Sequence, residues 1–381
     1  MINKSSKKVI LMVANTSWYL YNFRLPLIHE FQNLGFEVVA LSPKDGFSKK
    51  IVNEEFKWYD LPLNRSGFGL FTNISTVFRM IKMYRFLQPH YAIHFTIKPV
   101  IYGTFVARCF TSAKSVNNIT GLGFVFIGRS HMHTLIRLAV KGLYRIVLSS
   151  SFRIIFQNSS DREYFINNRI IHPGKVSSLV IPGSGVDTSF FCPAPRAFSD
   201  KKNLRFILVA RVLKDKGIVE YVEASKIIKK RFPYIQFDLL GQIDEENPSG
   251  ISEKLVTQWH SENIINYLGA VDDVRPSLQN ADVFVLPSYR EGLSKSIIEA
   301  MAMELPIITT DVPGCRETVV PNENGLIITP RDITPLVNAI KFMVDHKTML
   351  PQMGKVSREI AINKFEVNRI NNLFLKALDL V

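Results

Sequence analysis

Cysteine is scarce in this chain. Cys109, Cys192 and Cys315 are the only three in 381 residues, and their spacing shows no pairing and no zinc-type grouping. A disulfide framework is excluded, and reduced thiols in a reducing compartment are expected. Long apolar runs are missing too. Nothing approaches about eighteen uninterrupted apolar residues, so no spanning helix is expected. After the basic opening at 1–8, the apolar run 9–14 is too short for a signal peptide. The expectation is a chain that is cytoplasmic or lies on a membrane surface. The third absence is of negative charge: no Asp or Glu occurs between Asp60 and Asp161, a span that holds 12 Lys and Arg.

That gap dominates the charge balance. Residues 1–190 carry 23 Lys and Arg against 9 Asp and Glu, and residues 191–381 carry 24 of each, so the whole net charge of +14 sits in the first half. A solvated surface normally mixes signs, so the first half is expected to meet an anionic partner, either nucleic acid or anionic lipid. No zinc-finger or RNA-recognition signature supports nucleic acid. Two predicted helices favour lipid. Residues 74–87 carry Arg79, Lys82 and Arg85 among apolar residues, and residues 135–148 carry Arg137, Lys141 and Arg145 as one stripe on an apolar cylinder. With the apolar loop 124–127, this is the composition of a membrane-surface element. The alternative is a sheet-covering helix with an ordinary solvated stripe.

An apolar content of 46% over 381 residues is ample for two cores. The first half opens with a predicted strand at 9–14, a polar loop at 15–22, a helix at 26–34 stopped by Gly35, and a strand at 37–41. That is a βαβ unit of the doubly wound type, without the G-x-G-x-x-G of a dinucleotide site. Further strands are expected at 57–61, 91–95, 115–119 and 153–157. Residues 181–195, rich in Gly, Ser and Pro, read as a linker. Beyond it come a strand at 205–210, a loop at 211–217, a helix at 218–230, and strands at 236–240 and 264–268.

The densest stretch is 283–317. A buried strand at 283–286 stops at Pro287, a loop follows, and a helix buries Ile297, Ile298, Ala300, Met301 and Ala302 before a strand at 306–310. Glu291 falls in the loop and Glu299 in the helix, so both can border the edge where strands end and helix amides begin. As an isolated pair they would read as a loop residue and a solvated helix residue. Asp272 and Asp273 are adjacent, not spaced as D-x-D, and suggest no metal site.

The context of the pair is distinctive: Pro287-Ser288, Glu291-Gly292, Glu299-Ala300-Met301-Ala302, Pro306-Ile307, Gly314 and Glu317 in one register. This resembles the signature of the retaining, nucleotide-sugar-dependent glycosyltransferases of the GT-B fold. Ser294 departs from it, since Pro is common there in the family. Tyr21-Asn22-Phe23-Arg24-Leu25-Pro26, the phrase from Thr96 to Gly103, and Thr120-Gly121-Leu122-Gly123 resemble a narrower group. These are bacterial transferases that extend sugars on polyprenyl diphosphate for O-antigen, capsule or protein glycosylation.

The resemblance implies an α/β chain of GT-B architecture, with two Rossmann-like doubly wound domains facing across a cleft. Residues 1–183 would face acceptor and membrane, residues 184–362 would hold the donor, and a C-terminal helix within 363–381 would pack back on the first domain. The implied activity moves a sugar, an N-acetylhexosamine, from a UDP-sugar to a polyprenyl-diphosphate-linked saccharide. Configuration would be retained, with no essential metal and no cofactor beyond the donor itself. The implied place of work is the cytoplasmic face of the bacterial inner membrane, as a peripheral protein. Donor contacts would come from Arg211, Lys216, Gly241, Leu268, Glu291, Gly292, Leu293, Ser294, Lys295, Ser296 and Glu299. Among these, Glu291, Arg211 and Lys216 would serve the chemistry. Acceptor contacts would come from Asn22, Arg24, Lys98, Thr120 and Gly121, with Arg24 and Lys98 on the diphosphate. A UDP-sugar epimerase of the same fold is the alternative enzyme, and a basic nucleic-acid-binding protein the alternative of another class.

Overall fold

The run VILMV at Val9–Val13 is buried almost throughout, a pattern that suits only a strand covered on both faces. The computed structural model describes residues 7–54, 56–63, 70–123, 126, 131–194 and 203–381. It divides into two compact units, Met1–Ser184 with Ile370–Val381, and Gly185–Arg369.

In the first unit the strands are β1 (Val9–Val13), β2 (Glu37–Ser42), β3 (Lys57–Asp60), β4 (Tyr91–Phe95), β5 (Lys114–Ile119), β6 (Arg153–Phe156) and β7 (Ser178–Val180). They form one parallel sheet in the order β3-β2-β1-β4-β5-β6-β7. Its helices are α1 (Ser17–Asn33), α2 (Ser48–Asn53), α3 (Leu70–Leu87), α4 (Ile97–Phe110), α5 (His131–Leu148) and α6 (Ser159–Asn167). Alternate strand residues serve opposite faces. Ile10, Met12, Ile93 and Phe95 pack with α1, while Leu11, Val13 and Ala92 pack with Met80 and Tyr84 of α3 and Val106 of α4.

The second of these faces carries a buried polar chain. Tyr84 Oη lies 2.8 Å from His94 Nε2, and His94 Nδ1 lies 2.8 Å from Asn117 Oδ1, which also accepts from Thr104 Oγ1 at 2.8 Å. Burial pushes the His94 pKa down to about 4, against a small opposing pull from the Asn117 hydrogen bond. The ring is therefore neutral at physiological pH, with Nδ1–H donating and Nε2 accepting.

The second unit has β8 (Arg205–Val209), β9 (Gln236–Leu240), β10 (Asn266–Tyr267), β11 (Val283–Leu286), β12 (Ile307–Thr310) and β13 (Gly325–Ile328), all parallel in the order β10-β9-β8-β11-β12-β13. Its helices are α7 (Ile218–Arg231), α8 (Glu253–Ser261), α9 (Arg275–Asn280), α10 (Lys295–Ala302), α11 (Ile333–Asp345) and α12 (Leu350–Phe365). The chain passes to the first unit within α13 (Val367–Ala377), between Arg369 and Ile370. There Ile370, Phe374 and Leu378 join the core of the first unit, and Tyr91 Oη donates to the Leu378 carbonyl at 2.9 Å.

Two expectations about elements are corrected. The stretch 15–22 is mostly helix, not loop: α1 starts at Ser17 because Thr16 accepts from the Tyr19 amide at 3.1 Å and Asp45 accepts from the Trp18 amide at 3.0 Å. Pro26 therefore lies inside α1 and does not open it. The strand expected at 264–268 is paired only at Asn266–Tyr267. The loop 124–127 lies outside the described residues except for Phe126, which packs edge-on against Tyr164.

Candidate active site

The order of the second sheet reverses between β8 and β11, and in doubly wound sheets ligands bind beyond the strand ends at that point. The loop after β8 carries Arg211 and Lys216; the loop after β11 carries Glu291. Lys216 Nζ donates to Glu291 Oε1 at 2.5 Å, and Ser288 Oγ donates to the same oxygen at 2.8 Å. Backbone contacts lock the two loops, with the Tyr289 amide donating to the Asp215 carbonyl at 2.9 Å. Gly217 makes this approach possible: its φ is +73°, and a Cβ there would lie 2.1 Å from the Pro287 carbonyl oxygen.

A third loop, after β12, holds the Glu291 segment from the other side. The Glu291 amide donates to Pro313 at 3.0 Å, the Ser294 amide to Gly314 at 3.1 Å, and the Gly314 amide to Glu317 Oε2 at 2.7 Å. At Gly314 a Cβ would lie 2.6 Å from the Glu291 carbonyl. Beneath them Cys315 is buried, and burial with the Glu291 charge pushes its thiol up to about 12. It is an inert core thiol.

Ser294 is the N-cap of α10, its Oγ accepting from the Ile297 amide. Its own amide donates to the Gly314 carbonyl, so that amide is already engaged within the site. Leu293 is buried, and Ser296 Oγ lies 3.3 Å from Ser294 Oγ. Glu299 is half-buried with Lys295 Nζ 3.6 Å from its carboxylate; desolvation raises its pKa against the pull of that lysine. Arg211 is clasped by Asp244 at 3.0 Å, a partner the sequence reading did not single out. Gly241 follows β9 and accepts from Tyr267 Oη at 2.9 Å, and the Leu268 amide donates to Leu239 at 2.8 Å.

In the first unit the reversal lies between β1 and β4. Lys98 stands in the first turn of α4, directly beyond β4, and burial lowers its pKa. Thr120 and Gly121 stand directly beyond β5, so these three share one sheet edge. Arg24 does not join them as expected. Asn22 donates to the Trp18 carbonyl of its own helix at 2.9 Å. Arg24 is 1% exposed; it donates to Tyr19 Oη at 2.9 Å and lies over the rings of Phe95 and Phe374 at 4.7 and 5.2 Å. Its guanidinium is engaged within the core, so the diphosphate role expected for it is withdrawn. At the same edge Thr96 holds φ +70° and ψ 163°, a region that costs a non-glycine residue about 1–3 kcal/mol. Neither that strain nor the buried amide of Asn118, which has no hydrogen-bond partner among the described residues, has a signal in sequence.

Comparison with known proteins places the chain. Residues 195–360 match the family described as "Glycosyl transferases group 1", and residues 8–158 match "Glycosyl transferase 4-like". The chain belongs to the GT-B-fold bacterial glycosyltransferases, and it is a glycosyltransferase. Among its relatives, it is similar end to end to the N,N'-diacetylbacillosaminyl-diphospho-undecaprenol alpha-1,3-N-acetylgalactosaminyltransferase of Campylobacter jejuni, 26% identical over 95% of this chain and 96% of that one. It is 28% identical to the Escherichia coli UDP-Gal:alpha-D-GlcNAc-diphosphoundecaprenol alpha-1,3-galactosyltransferase, over 92% of this chain and 95% of that one. Its fold matches the sucrose-phosphate synthase of Thermosynechococcus elongatus, with TM-score 0.80, 18% identity and 98% of each chain covered. It also matches Anabaena HepE in complex with UDP-glucose, with TM-score 0.76, 16% identity, and 98% and 100% covered.

Proposed function

We propose that the chain transfers an N-acetylhexosamine from a UDP-sugar to a saccharide carried on polyprenyl diphosphate, with retained anomeric configuration and without an essential metal ion. The observation that carries this reading is the contact of Lys216 with Glu291 at the sheet reversal, which joins the basic loop to the glycosyltransferase signature. The named activities of the two full-length relatives support the lipid-linked acceptor.

In this reading residues 184–362 hold the donor and residues 1–183 the acceptor, and the protein works at the surface of an anionic membrane. No helix among the described residues is long and apolar enough to cross one. Arg211 and Lys216 lie along the UDP diphosphate. Each is already held, by Asp244 and Glu291 respectively, so the cations are in position before the donor arrives. The bond from the anomeric carbon to the phosphate oxygen breaks, and the negative charge it leaves is stabilised by these cations and by the first turn of α10. The acceptor hydroxyl attacks from the same face and gives its proton to the departing phosphate oxygen, so no separate base is required. Glu291 orients Lys216 and the sugar, Glu299 accepts from the ribose hydroxyls, and the backbone at Gly241 and Leu268 borders the base. Lys98, Thr120 and Gly121 receive the acceptor diphosphate.

Product NMR and an EDTA challenge test this reading together. An α-linked product and unchanged activity after EDTA are expected. A β-linked product, or activity lost to EDTA and restored by Mg²⁺ or Mn²⁺, overturns it.

A further inference from the structure

The apolar residues of α5 fall into two sets. Val140, Tyr144, Val147 and Leu148 are buried in the core of the first unit. Leu135, Leu138, Leu143 and Ile146 point the other way, with Leu135 64%, Leu138 60% and Ile146 65% exposed. At 100° per residue these outward side chains line one side of the helix. The basic residues expected to form its outer stripe are turned aside. Lys141 Nζ donates to Asn168 Oδ1 at 2.8 Å, and Arg145 Nε donates to the Arg169 carbonyl at 2.7 Å.

This face continues across neighbouring helices. Helix α5 packs beside α4, and α4 beside α3. On α4 Phe105 is exposed, and on α3 Ile74, Phe78 and Phe86 are exposed, Phe86 at 71%, among the exposed cations Arg79, Lys82 and Arg85. Exposed apolar residues standing singly are ordinary, but a run across three adjacent helices marks a contact surface.

We infer that this face of the first unit seats on an anionic lipid bilayer by inserting the outer side chains of α5 and the phenylalanines of α3 and α4, with the α3 cations at headgroup level. This deepens the functional reading above and rests on it in one respect, that the acceptor is held in a membrane. Charge selects the occupant. Residues 61–160 contain 12 Lys and Arg and no Asp or Glu, so a second copy would meet this face with its own sign, whereas an anionic surface complements it. Insertion also predicts behaviour that a purely electrostatic contact does not, because apolar burial survives salt while exposed charge pairing is screened.

The test is flotation of the full chain with phosphatidylcholine vesicles, with and without phosphatidylglycerol. The wild type is expected to float with phosphatidylglycerol vesicles and to stay partly bound in about 1 M salt, where the screening length is about 3 Å. The variant Leu135→Ser/Leu138→Ser/Ile146→Ser is expected to lose about tenfold or more in partitioning. It should keep its Tm and its turnover of a water-soluble, short-prenyl diphosphate acceptor. The single change Leu138→Ser, expected to give a smaller loss, guards against misfolding of the triple variant. Arg137→Gln/Lys141→Gln/Arg145→Gln is expected to lose less than the serine variant. The inference is overturned by any of four results: a wild type that does not float, complete release by salt, a glutamine variant more affected than the serine variant, or a wild-type dimer that the serine variant dissolves. If the wild type floats as expected but fails to use the soluble acceptor, the assigned reaction is wrong and the surface stands.

Discussion

Lys216 and Glu291 sit mostly out of solvent, each the other's charge partner, so removing one leaves the other uncompensated. If Lys216 stabilises the departing diphosphate, Lys216→Ala should cut kcat by roughly 10²–10³-fold, the scale for loss of one preorganised donor. Glu291→Gln keeps an acceptor for Ser288 and Lys216 and should cost less. A kcat for Lys216→Ala within about threefold of wild type, in a protein with unchanged Tm, would show the lysine to be structural. His94 gives a second residue-scale prediction. Its folded pKa lies below the ordinary histidine value, so the folded state binds fewer protons between about 4 and 6.5 than the unfolded chain. Stability should therefore be full above pH 6.5 and decline as pH falls toward 4, by about 3 kcal/mol for this group. Urea titrations at pH 7 and pH 5 should show a smaller decline in His94→Gln than in wild type; equal declines would assign the acid sensitivity elsewhere.

At the scale of elements, α10 shows how a family departure can be accommodated. Ser294 stands where proline is common in similar sequences, and it supplies both the cap of the helix and an amide bond to the next loop. Ser294→Ala should lower stability by about 1 kcal/mol, read from the urea midpoint, through loss of the cap. Ser294→Pro should lose the Gly314 contact as well and be the less stable of the two; a proline variant more stable than wild type would refute the roles given to these bonds. The strands of this region were legible in sequence because each is an apolar run bounded by Pro, Gly or charge. Helix α1 was less so. Its start depends on Asp45, far along the chain, accepting the Trp18 amide, and Pro26 looked like an opening signal because proline favours the first turn.

At the scale of the whole molecule, the final residues connect chain end to chain beginning. Phe374 is fully buried in the core of the first unit and lies beneath the Arg24 guanidinium. Phe374→Ala should cost about 3–5 kcal/mol, seen as a lowered first transition on heating, while UDP affinity is retained because Arg211 and Lys216 belong to the other unit. Arg211→Ala should do the converse, weakening UDP binding while vesicle flotation is unchanged. Loss of UDP affinity in the first variant, or its survival in both Arg211→Ala and Lys216→Ala, would place the donor on other residues.

By itself the sequence determined the doubly wound class, most strand positions, the one-sided charge and the glycosyltransferase signature. Each of these is a local pattern: an apolar run, a count of signs, or a phrase read in one register. Tertiary structure decided what local pattern cannot carry. It turned Arg24 inward among Tyr19, Phe95 and Phe374, because two of those three rings come from distant parts of the chain. It paired Arg211 with Asp244 and Lys216 with Glu291, because parallel crossovers bring the ends of distant strands together. It also set Leu135, Leu138 and Leu143 of α5 outward and turned Lys141 and Arg145 aside. A helix buried on one side has two faces to offer, and only the neighbours it packs against settle which of them is left for a partner.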